Sequence, residues 1–252
     1  VELKPVALQL YSLREQSKKD FVGVIKTVSE MGYLGVEPAG LYGMKPADFR
    51  RVVEDFGMVV SSNHQPWPNR ENLGKVKDTA FALGIELVIC GFRPEDFADE
   101  DAIKRTADTV QFITEELKDD GLSLAIHNHY WEFKELGGRL KYDILLDQCL
   151  DLLCEIDVYW AANFGAVDPA EQVAKYASRT PLLHIKDGPM EKDKPQMALG
   201  NGKMDFTSII SAASPDILRW IVVELDSCEG DMEEALRESY DYLTVNGLAQ
   251  GR

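Results

Sequence analysis

The chain has 252 residues, 45% of them apolar, and its 43 acidic against 27 basic side chains give a net charge of −16. That length supports one substantial core, and the apolar fraction is ordinary for a globular protein. The charge argues against a nucleic-acid backbone as partner, which needs clustered Lys and Arg, and no run of about 20 apolar residues is present to span a membrane.

The chain opens on Val1 rather than Met, which implies that a tag, a start methionine or an export signal was removed. Cytoplasm and periplasm both stay open. Val6–Leu10 reads as a first strand, followed by Tyr11. Asp20–Met31 is amphipathic, with Asp20 placed to cap a helix. Leu34–Glu37 is a second short strand, stopped by Pro38. Pro46–Phe56 reads as a helix closed by Gly57, and Met58–Ser62 as a third strand running out to His64. A helix over Asn72–Leu83, closed by Gly84, leads to a fourth strand at Glu86–Cys90. Asp99–Leu117 is the longest amphipathic segment, with Ile103, Ala107, Val110, Ile113 and Leu117 on one face.

Leu122–His127 is the fifth strand, and Tyr142–Cys149 a short helix. Leu152–Val158 is the sixth strand and carries Asp157. Asp168–Ala177 is a helix with Asp168 at its cap and Pro169 in its first turn. Pro181–Ile185 is the seventh strand, with His184 near its end. After the Gly/Pro/Lys-rich loop Asp187–Lys203 come a helix at Phe206–Ala213, an eighth strand at Trp220–Leu225 carrying Glu224, and a last helix at Asp231–Val245. Cys90, Cys149, Cys154 and Cys228 form no CxxC pair and read as free thiols in or near the core.

Continuous apolar strands alternating with helices imply a parallel sheet with helices outside. Eight such units with no composition break predict an α/β fold, a closed (β/α)8 barrel spanning residues 1–252 as one domain. No GxGxxG opens a helix after the first strand, so a dinucleotide fold has little support.

In such a barrel the site lies at the C-terminal strand ends. His127 and His129 share one face of the fifth strand's exit, because residues two apart on a strand point the same way. Asp157, His184 and Glu224 interrupt the three following strands at the corresponding place. A carboxylate within an apolar run is costly to bury unless it is paired or bound to metal. Four neighbouring strand ends with ligand-type residues therefore point to one divalent ion held by His127, Asp157, His184 and Glu224, with Mn2+, Mg2+, Co2+ and Zn2+ all suited.

The motifs QLYSLR (9–14), GVEPAG (35–40), HNHYWEF (127–133), EIDVYW (155–160), HIKD (184–187), GNGKMDF (200–206) and VELD (223–226) go further. Over nearly its whole length the chain resembles the xylose isomerase-like TIM barrels, the sugar phosphate isomerase/epimerase superfamily, and within it a subgroup with an HNHxxEF motif. The resemblance implies one divalent cation held by Glu, Asp, His and Glu from four successive strands. Asp157, His184 and Glu224 match the last three positions. His127 stands where many members carry the first Glu. It can replace that Glu, Glu132 can fold back to do so, or water can fill the place.

The implied chemistry is removal of a proton beside a carbonyl through a metal-stabilised enediolate, on a sugar, keto-sugar or related polyol. Glu224 is the candidate base, with His129 as partner acid/base and Lys186 as enediolate stabiliser or proton shuttle. Tyr11, Glu37, His64, Glu132 and Trp160 are candidate substrate contacts, and Trp67 and Trp131 offer further aromatic faces. Asp187 and Asp226 follow ligand strands as supporting residues, and the loop between Asp187 and Lys203 is long enough for a lid. The missing Glu keeps a lyase or dehydratase reading alive, on a keto-sugar or inosose-type substrate. A DNA-repair relative with several zinc ions would need more than the four histidines present. A non-catalytic sugar-binding barrel is the non-enzymatic alternative. The implied partner is a small carbohydrate, and homo-oligomerisation stays open.

Overall fold

Short parallel strands, each followed by a helix, build the sheet. The computed structural model describes residues 2–252. Val1, on which the reading of N-terminal processing rests, lies outside them. The strands are β1 (Val6–Gln9), β2 (Gly35–Glu37), β3 (Val59–Val60), β4 (Asn63–His64), β5 (Leu87–Gly91), β6 (Ser123–His127), β7 (Glu135–Leu136), β8 (Arg139–Leu140), β9 (Leu153–Asp157), β10 (Leu182–Ile185) and β11 (Trp220–Val223). Nine of them run parallel in the order β3-β2-β1-β11-β10-β9-β6-β5-β4, and β7 and β8 form a separate antiparallel hairpin.

The sheet's two ends, β3 and β4, are consecutive in the chain. They are halves of the third barrel strand, which the sequence pattern predicts as one piece. β3 pairs with β2, and β4 pairs with β5. Pro38 has no N–H to donate, and the ladder between the second and third strands lapses beside it. His64 N then donates to Pro38 O at 3.0 Å, and Gln65 N to Ile89 O at 3.0 Å, so the ring closes at His64. The architecture is an α/β TIM barrel.

Aspartates start several of the outer helices. Asp20 accepts from Gly23 N, Asp99 from Ala102 N, Asp205 from Ser208 N and Asp231 from Glu234 N, at 2.8–3.1 Å. Such a cap contributes about 1 kcal/mol. The helices' apolar faces cover the barrel's outer surface, where Ile103, Val110, Ile113 and Leu117 are fully buried.

Inside the barrel a second, smaller apolar cluster joins Ala7, Leu87, Ile89, Ala125, Leu182 and Val222, with Leu153 and Trp220 packed against it. Trp220 reaches across to β2, where Gly35 leaves it room: a Cβ there would stand 2.9 Å from the indole ring. Two residues further along the same strands come Gln9, Gly91, His127, Glu155, His184 and Glu224. Strand periodicity puts these on the same inward face. The barrel is therefore apolar at its base and polar at its C-terminal end.

Candidate active site

Register fixes which side chains meet. His127 stands opposite Glu155 on β9, and Asp157 opposite His184 on β10. Glu224 is the first residue beyond β11. One ligand atom from each of His127, Asp157, His184 and Glu224 lies within 4.8 Å of the others, and all four residues are buried. His184 Nδ1 is 3.0 Å from Glu224 Oε2, and His127 Nε2 is 3.7 Å from Asp157 Oδ2.

Below this layer lies a second. Glu155 Oε2 sits 3.0 Å from His127 Nδ1 and 3.3 Å from His184 Nε2. Glu37 Oε1 is 3.2 Å from the same His184 nitrogen and accepts from Gln9 Nε2 at 2.6 Å, while Ser62 Oγ donates to its other oxygen. Lys186, only 1% exposed, places Nζ 3.0 Å from Asp157 Oδ2, 2.8 Å from Glu224 Oε2 and 2.9 Å from Asp226 Oδ2.

These distances set the charges. Burial would push the Glu224 carboxyl up, but the Lys186 ammonium and the His184 bond outweigh it and hold it far below the usual carboxylate range. Burial and the charge of Glu37 drive Glu155 well above its ordinary value. Burial also opposes the Glu37 charge, yet His184 beside it brings Glu37 below its ordinary value. Of this adjacent pair, Glu37 keeps the charge and Glu155 the proton. Burial, then the charge on His184, hold the His127 imidazole neutral. Burial raises Asp157, and Lys186 offsets this only in part.

The donor set fits a divalent cation. Nitrogen and carboxylate ligands about 2.1 Å from a metal lie roughly 3–4 Å from one another, within the observed spread. Asp157 Oδ2 is fully buried without a hydrogen-bond donor in good geometry, although Lys186 lies in ion-pair range. Both histidines have the ring nitrogen facing away from the cluster against a carboxyl oxygen, the usual support for a metal-ligating imidazole.

Residues 25–244 match the family model of the xylose isomerase-like TIM barrel. The chain belongs to that family. Among solved structures, a sugar phosphate isomerase/epimerase from Parabacteroides distasonis is 26% identical, with a TM-score of 0.78 over 99% of this chain and 96% of that one. A xylose isomerase-like TIM barrel protein from Mycobacterium smegmatis, solved in complex with magnesium, is 16% identical with a TM-score of 0.70, over 98% of each chain. The probable 3-DHS dehydratase from Bacillus anthracis is 13% identical with a TM-score of 0.74, over 95% of this chain and 98% of that one. The last two likenesses show the fold alone. No curated protein sequence matches the chain.

As the fold prescribes, the xylose isomerase-like barrel opens at its strands' C-terminal ends, here into a pocket of about 520 Å³. Tyr11, His64, His127, His129, Trp160, Lys186 and Glu224 all line it, so most of the residues singled out in the sequence come together there. Asp157 and His184 lie fully buried beneath it, against His127, Lys186 and Glu224. Glu37 and Glu132 take places behind the wall, both fully buried. Glu132 stays apart from the ligand cluster: Oε2 accepts from His129 N at 2.9 Å, and Oε1 lies 3.7 Å from His129 Nδ1. The His129 ring stacks on Trp131, centroids 4.1 Å apart. Trp67 packs against Phe92, to the side of the main pocket.

The loop after Lys186 is fastened rather than hinged. Asp187 accepts four backbone N–H bonds, from Gly188 (2.8 Å), Gly200 (2.9 Å), Gly202 (3.0 Å) and Met204 (3.2 Å). Gly202 must be glycine for this, since a Cβ would overlap Asp187 Oδ1 and Gly188 N. Gln196 in the same loop donates to Asp226 Oδ2 (2.9 Å) and accepts from Asp226 N (2.7 Å), which steadies the carboxylate that holds Lys186.

Sequence reasoning passed over Gln9, Glu155 and Gln196. The period of two that picks out Asp157 also picks out Glu155, two residues earlier on the same strand, and was the available signal. Nothing local in the sequence marks Gln196, because its partner is 30 residues away. Among the described residues no helix is long and apolar enough to cross a membrane.

Proposed function

We propose that this protein is a divalent-metal-dependent isomerase or epimerase of a sugar, keto-sugar or related polyol, within the subgroup marked by HNHxxEF. The observation that carries the reading is the convergence of His127, Asp157, His184 and Glu224 within 4.8 Å at the floor of a pocket of about 520 Å³. The likeness to a sugar phosphate isomerase/epimerase at 26% identity supports the reaction class. His127, Asp157, His184 and Glu224 would hold a divalent cation, with Mn2+, Mg2+, Co2+ and Zn2+ all compatible with the donors, and such a cation would polarise a substrate carbonyl and offset the charge left when the neighbouring carbon loses a proton.

The chain's own groups divide the remaining work. Glu224 is held charged by Lys186 and His184, which makes it a poor proton acceptor and a good ligand. The base role falls to His129, which stands on the pocket wall, stacked on Trp131 and backed by Glu132. Lys186 lines the pocket two strands further round the barrel, and its positive charge, held by three carboxylates, stabilises negative charge on a substrate oxygen. Tyr11, His64 and Trp160 bound the sugar.

A second reading, elimination, has its own support. His127 stands where a second glutamate ligand would face Glu224, so a proton relay between two glutamates is missing. An imidazole beside an ammonium suits removal of one proton by His129, with the Lys186 charge steadying a departing β-oxygen that takes its proton from the His129 imidazolium. Incubating the Mn2+-loaded protein with a panel of aldoses, ketoses and keto-sugars in D2O distinguishes the two. A product of unchanged skeleton carrying one deuterium supports isomerisation, and a product lighter by water or an alcohol supports elimination. H129Q should lower exchange at least 100-fold with Mn2+ uptake intact. No exchange with any substrate and no cation uptake would overturn both readings and leave a sugar-binding barrel.

A further inference from the structure

Glu155 is the one fully buried carboxyl that touches two of the proposed ligands and is not a ligand itself. Its Oε2 lies 3.0 Å from His127 Nδ1 and 3.3 Å from His184 Nε2, so a single oxygen faces the outer nitrogen of both imidazoles. A carboxyl oxygen at that place receives the N–H of His127 Nδ1, while the N–H of His184 Nε2 points between it and Glu37 Oε1, 3.2 Å away. An imidazole that donates from one nitrogen keeps a lone pair on the other. His127 is then left with its lone pair on Nε2, toward Asp157, and on His184 the proton that a cation would displace is the one on Nδ1, toward Glu224.

We infer that Glu155 is the positioning residue of this site: from β9 its one oxygen fixes the tautomer and rotation of His127 on β6 and, together with Glu37, holds His184 on β10, so that both rings face the same cluster. The inference rests on the metal reading above and adds to it the device that arms two of the four ligands together. The fold supplies the means. Glu155 stands in register with His127 on β6 and one inward step below Asp157, which stands in register with His184. A carboxyl at that point reaches both neighbours. The alternative tautomers would aim an N–H at Asp157 or Glu224 and leave no donor pair for a cation.

The test uses the full-length chain. With four histidines, all near this pocket, imidazole 15N signals can be assigned by single substitutions. Metal-free protein should show His127 protonated on Nδ1, and Zn2+-loaded protein should show His184 protonated on Nε2. Mn2+ titration should give an affinity 10- to 100-fold weaker for E155A, the range seen when such supporting groups are removed. E155Q, whose amide oxygen still accepts from both rings, should retain affinity within a few-fold of wild type. Wild-type His127 protonated on Nε2, or E155A binding Mn2+ as wild type does, would overturn the inference. So would E155Q weakening as much as E155A. If E155A does not fold, the wild-type tautomers and E155Q still decide. If wild type takes up no cation, the metal reading fails, while the His127 tautomer continues to judge Glu155.

Discussion

Lys186 has three N–H bonds and three carboxylate oxygens within 3.0 Å to receive them, from Asp157, Glu224 and Asp226. Two of those oxygens belong to proposed cation ligands, so the ammonium and the cation draw on the same negative charge. K186M should therefore bind Mn2+ about tenfold more tightly than wild type. It should also lower the stability of the metal-free protein by about 3–5 kcal/mol, the cost of stranding buried charges. Calorimetric titration and urea unfolding read the two effects, and unchanged Mn2+ affinity would show that the ammonium does not compete. At this scale much was legible in the chain: a carboxylate in CEID or VVELD and a histidine in LLHI stand out against their apolar neighbours. What stayed hidden was partnership. Lys186 stands out two residues after His184, but its partner Asp226, 40 residues away, does not show until the fold brings the two together.

The segment from Asp187 to Met204 illustrates how an element's behaviour can depend on one anchor. Length and three glycines suggest a moving lid, but the glycines serve close approach to the Asp187 carboxylate, which gathers four amides. D187A should free the segment and cost about 3–5 kcal/mol, given that each hydrogen bond to a charged acceptor contributes about 1.5–3 kcal/mol and neighbours are not additive. Hydrogen exchange at Gly200, Gly202 and Met204 would report it, and protection equal to wild type would show that the loop is held elsewhere. Helix starts and strand positions follow from periodicity and capping aspartates. The split of the third strand does not, because its cause, Pro38, lies on the neighbouring strand and acts through the missing hydrogen bond.

For the molecule as a whole, the buried histidines decide how stability follows pH in the absence of metal. Burial holds His64 and His127 below the ordinary imidazole value, so each contributes stability present above about pH 6.5 and lost as pH falls through it. Burial opposes the charge on His184, but the surrounding carboxylates, Glu155 and Glu37 foremost, raise it well above that value. Its contribution is fully present below about pH 6.5 and lost only as pH rises through its folded value. Glu155 works the other way from His64 and His127: it keeps a proton in the fold that it gives up on unfolding, so its contribution to stability grows as pH falls toward the ordinary carboxylate range. On acidification from about pH 7 to about pH 5.5 the metal-free E155Q protein should therefore lose more stability than wild type. Urea midpoints at the two values measure this, and an equal change in both proteins would contradict the assignment of charges. The barrel itself was readable from the alternation of strands and helices. Its polar upper storey was readable only in part, since parity within a strand says which way a residue faces but not what stands opposite.

The apolar packing of Trp220, Leu182 and Val222 at the base gives the barrel a single mouth. The proposed cation and a sugar above it would share that doorway and so arrive in a fixed sequence, ion first, and depart in the reverse one. A bound sugar then acts as a stopper. The rate at which a chelator strips the ion should fall as sugar concentration rises, and a rate indifferent to sugar would require a second exit.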